Sequence, residues 1–246
     1  MSNRGKRDIR VYPNLDRLSR AAAEELVSIA QAAVKEYGRF AIALSGGQTP
    51  RLLYQLLARE YRAVVPWHRT EIFWGDERYV SPEDRRSNYR MAKEAMLDHV
   101  PIPRDHLHPM PTLVPDFEEA AEAYEETLMS HFPGQWPRFD LILLGLGPDG
   151  HIASLFPHNP VLAEEARVVA AVRDENADPP LRLTLTLPAI KHAANIHFLI
   201  AGKSKATALA RALAPNANPE SSPAAAIKPI EGQLVWWVDE AAAEGA

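Results

Sequence analysis

Apolar residues along the chain follow two spacings, one typical of helices and one typical of buried strands. Over residues 18–33 they recur every three or four positions, which predicts a helix, and Gly38 follows as its C-cap. Residues 40–44 are then continuously apolar and predict a buried strand. Thr49 and Pro50 open the next predicted helix, Thr49 as its N-cap and Pro50 in its first turn.

The alternation of helix and strand continues to the end of the chain. Residues 100–115 interrupt it with five prolines and predict a surface loop, and the tail 241–246 is expected to fray. Further helices are predicted at 88–99, at 116–131 and after Lys205, and further strands at 71–74, 139–144, 168–172, 181–187, 195–201 and 234–238.

This order of elements determines the expected architecture. Apolar strands that alternate with helices form an α/β fold, here a mostly parallel sheet with helices on both faces. The length of 246 residues suits one domain over residues 1–246, with an ordered core at about 10–238. Loops that follow parallel strands gather at the carboxyl edge of the sheet, where such folds bind ligands. Four polar clusters fall in these loops, at 45–49, 75–78, 149–151 and 203–205.

Composition narrows the classes of partner and site. A formal net charge of -5 disfavours a nucleic-acid partner, and the basic residues Arg4, Lys6, Arg7 and Arg10 are interpreted as a short solvated arm. The chain has no cysteine, which excludes a disulfide scaffold, a thiolate nucleophile and a sulfur-ligated zinc site, and fits a cytoplasmic protein. No apolar run approaches the roughly 20 residues of a membrane helix, and we expect no signal peptide.

The loop at residues 45–50, Ser-Gly-Gly-Gln-Thr-Pro, joins a strand to the start of a helix. Its paired glycines let backbone N–H groups approach a ligand, and a helix N-terminus favours an anion, so we predict a phosphate site at Ser45, Gly46, Gly47, Gln48 and Thr49. The G-K-[ST] ending of a Walker A loop is missing. The loop is also one residue away from the G-x-S-x-G nucleophile elbow, so a serine hydrolase stays as an alternative. The elbow needs earlier strands, whereas this loop follows the first strand that the pattern predicts.

Charged residues stand in the other loops of the same edge. Arg78 is predicted to hold an oxyanion or a phosphate, and Asp76 to orient Arg78 or a histidine. Arg182 begins a predicted strand, and Lys203 and Lys205 flank a helix start. Two or three of these cations beside the glycine loop would complete a phosphate pocket.

The stretch GLGPDGHIASLFP at residues 145–157 allows two interpretations. Its first six residues fit the G-x-G-x-x-G pattern of a dinucleotide loop, but that loop should open a long helix, and a proline ends any helix here within two turns. NAD is therefore the weaker alternative, and we expect no cofactor. The stretch also presents His151 next to Asp149 after a buried strand, and a histidine in this place suits a general base. His106 and His108 lack a third ligand nearby in the sequence and are interpreted as loop residues, so we expect no metal site.

These motifs occur in the same order in the 6-phosphogluconolactonase family, which the chain resembles from about residue 10 to 238. The segment at 145–157 is the most specific part of the resemblance. The family often has Ser or Thr at the position of Gln48, and often Thr at the position of Ile152. Neither residue is assigned to the chemistry. The segments that carry the resemblance are ALSGGQTP at 43–50, WGDER at 74–78, SNY at 87–89, GLGPDGHIASLFP at 145–157, RLT at 182–184 and GKSKA at 202–206.

The resemblance implies hydrolysis of 6-phospho-D-glucono-1,5-lactone, the second step of the oxidative pentose phosphate pathway. Neutral His151 would deprotonate the attacking water, with Asp149 or Asp76 as the orienting carboxylate. Arg78, or backbone N–H groups of residues 147–150, would stabilise the oxyanion. The phosphate would lie on residues 46–49 with Arg182 and Lys205. No metal or cofactor is then needed.

The resemblance also implies a modified Rossmann-like sheet, shared with glucosamine-6-phosphate deaminase. That deaminase is an alternative function, but its similar block carries Asn-Glu-Pro, whereas residues 154–157 here are Ser-Leu-Phe-Pro, without a carboxylate. A non-catalytic sugar-phosphate sensor is the other alternative. The expected partner is a small sugar-phosphate lactone, with neither membrane nor nucleic acid, and the expected assembly is a monomer or a weak homodimer.

Overall fold

The computed structural model describes residues 8–244, which form a six-stranded sheet, a three-stranded sheet and the helices around them. In chain order the strands are β1 (Asp8–Tyr12), β2 (Phe40–Leu44), β3 (Thr70–Trp74), β4 (Asp76–Arg78), β5 (Leu141–Leu144), β6 (Val169–Arg173), β7 (Leu181–Leu185), β8 (Asn195–Ile200) and β9 (Gln233–Asp239). The α-helices are α1 (Leu15–Tyr37), α2 (Gln48–Arg59), α3 (Asn88–Ala95), α4 (Phe117–His131), α5 (Leu187–Lys191), α6 (Ala206–Leu213) and α7 (Glu240–Ala243).

The larger sheet is parallel throughout, in the order β1-β9-β8-β5-β2-β3. Every residue of β2 and β5 is buried, as expected for central strands covered on both faces. The prediction of a mostly parallel α/β sheet is therefore confirmed. None of the helices within residues 8–244 is both long enough and apolar enough to cross a membrane.

The strand order brings the predicted loops together between β2 and β5. After β2, the next strand of this sheet, β3, lies on one side of β2. After β5, the following strands β8 and β9 are added on the opposite side, so the direction of strand addition reverses between β2 and β5. Open α/β sheets bind ligands at such a switch point, beside the carboxyl ends of the strands. Ser45 follows β2 and Gly145 follows β5, and a Cβ atom on Gly145 would lie 3.8 Å from the Ser45 hydroxyl.

The small antiparallel sheet, in the order β4-β7-β6, lies next to this point. Gly75 connects the two sheets, since its N–H donates to Leu44 and its carbonyl accepts from Leu185. The pairing of β4 with β7 sets Arg78 opposite Arg182. Two cations that are distant in sequence therefore share one edge of the site.

Most predicted elements are present, and the helix ends follow ordinary capping chemistry. Asn14 and Asp116 cap α1 and α4 through their side chains, and Gly38 ends α1 in the left-handed conformation at φ 77°. The cap predicted at Thr49 is wrong. Gly47 stands at the N-cap with φ 102°, so α2 begins at Gln48 and contains Thr49 in its first turn, without a side-chain cap.

Other differences concern the ends of elements. The helix predicted at 88–99 stops at Ala95, because Met96 leaves the helical conformation, and residues 97–99 form a 3₁₀ turn. The segment 76–78 was expected to be loop but is a short strand. Part of the tail predicted to fray forms α7, which Asp239 caps.

The first strand of the chain was not predicted. β1 has three exposed and two partly buried residues and pairs with β9 at the far edge of the sheet. The interpretation of Arg10 as part of a solvated arm is wrong, since its guanidinium lies over the ring of Trp237 and bonds to Asp8. Arg4, Lys6 and Arg7 lie outside the described residues.

Candidate active site

A cavity of about 430 Å³ opens at the carboxyl edge of the larger sheet. Its wall is built by residues that follow β2, β5 and β8, together with residues of β4, β7 and α3. Of the predicted site residues, Asp149 does not line the cavity but contacts His151. Those that do line it are Ser45, Gly46, Gly47, Gln48, Thr49, Asp76, Arg78, His151, Arg182 and Lys205.

His151 is held in a tight loop after β5. The Gly147 N–H donates to the His151 carbonyl at 2.8 Å, and the Gly150 N–H donates to the Gly147 carbonyl at 3.0 Å. Gly150 has φ 103°, a conformation that favours glycine. A Cβ on Gly147 would overlap both the His151 ring and the Asp149 carboxylate, so the close seating of these two side chains requires glycine there.

Asp149 orients His151. The His151 Nδ1 atom lies 2.7 Å from Asp149 Oδ1, and the carboxylate also accepts from the His151 backbone N–H at 3.2 Å. Burial of Asp149 favours its neutral form, but the hydrogen bonds and charge of His151 outweigh this and lower the pKa of the carboxyl. Because an ionised carboxylate can only accept, Nδ1 carries the proton and Nε2 remains the basic nitrogen.

Asp76 does not contact His151 or Arg78 through its side chain. Its carboxylate accepts a 2.8 Å hydrogen bond from the Ser154 hydroxyl and a longer one, 3.4 Å, from the Asn88 amide. Ser154 belongs to the turn just after His151, where Ala153 has a positive φ of 47°. Asp76 therefore ties the histidine loop to β4, and Asp149 is the carboxylate that orients the ring.

Arg78 and Arg182 meet at the cavity without an acidic partner. Within residues 8–244, neither guanidinium forms a salt bridge, and the buried Nε of Arg78 has no hydrogen-bond partner. Arg182 donates only to backbone carbonyls, those of Pro179 at 2.7 Å and Asp178 at 3.1 Å. Burial, together with the neighbouring Arg78 charge, lowers the pKa of Arg182. Anionic groups of a bound ligand would satisfy both guanidinium groups.

Lys205 adds a third positive charge, and Lys203 does not. Lys205 follows β8 and lines the cavity, where burial lowers its pKa and the charge of Asp149 opposes that effect. Lys203 is largely exposed and pairs with Glu244 at 3.4 Å. The sequence named both lysines as candidates, and their different burial separates them.

The glycine loop after β2 presents backbone donors to the cavity. Gly47 caps α2 without a side-chain hydrogen bond, so the N–H groups of the first turn keep no side-chain acceptor there. Tyr54 holds the loop from below, since its hydroxyl donates to the Ser45 carbonyl and accepts from the Ser45 N–H. The Ser45 hydroxyl donates only a long bond to the Gly46 carbonyl. No imidazole contacts it within the described residues, so the catalytic pair of a serine hydrolase is missing there.

The G-x-G-x-x-G pattern does not open a helix. Residues 145–159 form turns and one short bridge between Ile152 and Leu155, and the next helical turn is the short 3₁₀ segment Pro160–Ala163. A dinucleotide loop depends on the N-terminus of a following α-helix to hold the pyrophosphate. The chain lacks that element after the pattern.

Several site residues were not assigned from the sequence. Asn88 lines the cavity at the start of α3, and a Cβ on Gly46 would overlap its side chain. Glu77 is buried below it and accepts hydrogen bonds from the backbone of Arg78, Asn88 and Tyr89 and from the Ser87 hydroxyl. Burial raises the pKa of Glu77 despite these bonds. Ser87 also caps α3, since its hydroxyl accepts from the Arg90 N–H, and a serine before a helical pattern was the available signal for this cap.

A second opening adjoins the cavity and shares Gly47, Gln48, Arg78 and Asn88 with it. It is lined by several arginines, and Arg86 and Arg90 among them pair with Asp84 and Glu94. The excess of positive charge at the mouth would raise the local concentration of an anionic ligand.

Comparisons with known proteins place the chain in a family and identify proteins of similar fold. Residues 13–236 match the model of a family described as glucosamine-6-phosphate isomerases and 6-phosphogluconolactonases. A 6-phosphogluconolactonase of Synechocystis is 48% identical over 215 residues, which cover 86% of this chain and 87% of the relative. The solved 6-phosphogluconolactonase of Trypanosoma brucei superposes with a TM-score of 0.89 at 32% identity, covering 97% of this chain and 98% of that one. A monomeric glucosamine-6-phosphate deaminase, at 23% identity and a TM-score of 0.83, shares the fold.

Proposed function

The chain belongs to the family of glucosamine-6-phosphate isomerases and 6-phosphogluconolactonases, and we propose that it hydrolyses 6-phospho-D-glucono-1,5-lactone to 6-phosphogluconate. Within the family it is an enzyme of the lactonase class. The proposed reaction is the second step of the oxidative pentose phosphate pathway. The observation that carries the mechanism is the His151–Asp149 pair, 2.7 Å apart, beside a cavity lined by two guanidinium groups that have no acidic partner among the described residues.

The proposed base is Nε2 of His151. It takes a proton from water as the water oxygen attacks C1 of the lactone, and the carbonyl electrons move to the carbonyl oxygen. The resulting oxyanion lies against Arg78 or the backbone N–H groups of residues 147–150. When the bond from C1 to the ring oxygen breaks, the protonated His151 gives its proton to that oxygen, and the carboxylic acid then ionises. Asp149 supports both transfers, because its charge stabilises the imidazolium.

The phosphate of the substrate is proposed to bind beside the first turn of α2. The first turn of α2 offers backbone N–H groups, and Arg182 and Lys205 offer charged donors. Binding the phosphate there holds the lactone in one orientation. Such positioning of a bound substrate accounts for a large part of the rate acceleration by an enzyme. Arg78 is then left for the carbonyl end of the lactone.

The alternatives make different demands on the same residues. A deaminase of this fold would need a carboxylate where residues 154–157 carry Ser-Leu-Phe-Pro, and Ser154 is engaged with Asp76. A sugar-phosphate sensor would need the cations but not an oriented base. The His151–Asp149 pair therefore favours catalysis.

The test is an assay with freshly generated lactone, corrected for spontaneous hydrolysis and coupled to oxidation of the product. We expect the purified protein to accelerate hydrolysis, and His151→Ala to lower kcat by roughly 10²- to 10⁴-fold, the usual contribution of general acid–base catalysis. His68→Ala, at an exposed histidine outside the cavity, is the matched control and should keep full activity. Near wild-type kcat in His151→Ala would reject the mechanism, and ammonia release from glucosamine 6-phosphate would instead support the deaminase.

A further inference from the structure

A cluster of two imidazoles and one carboxylate lies away from the catalytic cavity. Glu71, His108 and His131 each offer one ligand atom, and these atoms all lie within 4.8 Å of one another. Glu71 belongs to β3, His108 to the loop after a 3₁₀ turn, and His131 is the last residue of α4. No third ligand stands near His106 and His108 in the sequence, because Glu71 and His131 come from segments more than twenty residues away from His108.

The backbone fixes His108 beside Glu71. Leu107 forms a parallel bridge with Ile72, and the His108 N–H donates to the Ile72 carbonyl at 2.9 Å. The side chains then meet at 2.7 Å between His108 Nε2 and Glu71 Oε2. Both are mostly buried, with 10% of the His108 side chain and 17% of the Glu71 side chain exposed.

Neighbouring groups orient the two imidazoles. His131 Nδ1 lies 2.8 Å from the Thr127 carbonyl, which can only accept, so Nδ1 carries the proton and Nε2 keeps its lone pair. Metal-binding histidines are typically held in this way, with the second ring nitrogen donating to a carbonyl. Phe73 stacks on His108 at 4.5 Å and meets His131 edge-on at 5.5 Å, which restricts both rings.

We propose that Glu71, His108 and His131 form a binding site for a divalent transition-metal ion, with zinc as the best fit. Two imidazole nitrogens and one carboxylate oxygen are the ligand set of known zinc sites, whereas magnesium and calcium prefer oxygen ligands alone. On binding, the ion replaces the proton shared between His108 and Glu71, and that proton passes to solvent. Three protein ligands leave room for water at the fourth position.

The ion would stabilise the fold by linking three segments of the chain, and it would take no part in lactone hydrolysis. Glu71 lies five residues before Asp76, about 16 Å along extended chain, so the cluster is at the opposite end of β3 from the cavity. The three ligands belong to β3, the 100–115 loop and α4, and one ion would cross-link all three segments. Binding only to the folded state would raise the melting temperature.

The test uses full-length protein without a polyhistidine tag, dialysed against a chelator and then titrated with zinc chloride by calorimetry. We expect one site and a rise in melting temperature with added zinc. His131→Ala and Glu71→Gln should each weaken binding by about 100-fold or more, since loss of an outer-shell partner alone costs roughly 10- to 100-fold. His68→Ala, at an exposed histidine, is the matched control and should bind zinc as the wild type does.

The outcomes separate the cluster from the catalytic histidine. Zinc binding that persists in both cluster variants but is lost in His151→Ala would assign the ion to the cavity and overturn the proposal. No binding by the wild type would also overturn it. Glu71→Gln changes few atoms, so it keeps the test decisive if His131→Ala does not fold. Lactone hydrolysis by folded Glu71→Gln should equal that of the wild type.

Discussion

Gly147→Ala should reduce catalysis without much change in stability, because its large effects are confined to the seating of His151 and Asp149. A Cβ on Gly147 would overlap His151 Nδ1 and Asp149 Oδ1. Non-bonded heavy atoms rest about 3.5 to 4 Å apart, so the imidazole must move by roughly 1 Å or more. That movement breaks the 2.7 Å hydrogen bond that sets the tautomer and direction of the ring.

The expected magnitudes differ for activity and folding. A misplacement of about 1 Å at a catalytic group costs roughly 100-fold in rate. The broken hydrogen bond joins side chains that are 33% and 51% exposed, so its loss should cost about 1 kcal/mol or less of unfolding free energy. Steady-state lactone hydrolysis and thermal unfolding of the same preparation measure both quantities.

Gly75→Ala is the matched control, because Gly75 has no positive φ and a Cβ there would meet only the Leu44 carbonyl at 3.5 Å. It should keep nearly full activity. The double variant Gly147→Ala with His151→Ala tests the route of the effect. If the methyl acts through His151, it should add almost no further loss when the imidazole is already absent. A further 100-fold loss in the double variant, or full activity in Gly147→Ala alone, would refute the reasoning.

Two further predictions concern a cation of the cavity and a buried histidine. Arg182→Gln should raise KM for the lactone roughly 10- to 100-fold with a smaller change in kcat, since it removes charged hydrogen bonds to the phosphate. Its control is Arg173→Gln, at an exposed arginine on the paired strand β6. An unchanged KM in Arg182→Gln would exclude Arg182 from phosphate binding. His197 is buried, and burial lowers its pKa to about 4, so the unfolded chain takes up a proton from about pH 6.5 downward while the folded chain stays neutral until about pH 4. The free energy of unfolding should therefore fall by about 3 kcal/mol as the pH drops from about 6.5 to about 4, and it should keep its full value above pH 6.5. Urea unfolding at a series of pH values would measure this change. His197→Leu should lose this pH dependence, while His68→Leu should keep it.

The central elements and the loop that carries His151 could be predicted from local patterns. The strand at 40–44 is uniformly apolar because it is buried on both faces, and that pattern does not depend on its neighbours. The edge strand β1 was missed because its pattern is inverted, with the apolar Ile9 and Val11 exposed and the charged Arg10 partly buried over Trp237, so its sequence does not resemble a core strand. The cap of α2 was misplaced by two residues, because the positive φ of Gly47 starts the helix earlier than the hydroxyl of Thr49 suggested.

The division of roles among the acidic and basic residues could not be predicted in the same way. Asp149 and Asp76 were equal candidates to orient the histidine, and only the path of the chain shows that Asp149 contacts the ring while Asp76 holds Ser154. Lys203 and Lys205 are two residues apart, and their burial alone distinguishes them. Asn88 and Glu77 were left without roles because their partners come from other segments.

By itself, the sequence determined the α/β class and the loops at the carboxyl edge, and it singled out His151 as the base proposed above. These depend on hydrophobic periodicity, on glycine and on residue type, which act over a few neighbouring positions. Tertiary structure decided which charges are unpaired, which carboxylate meets the histidine and which histidines approach Glu71. These depend on distances of a few ångströms between segments far apart in the chain, because hydrogen bonds and metal coordination weaken steeply beyond contact.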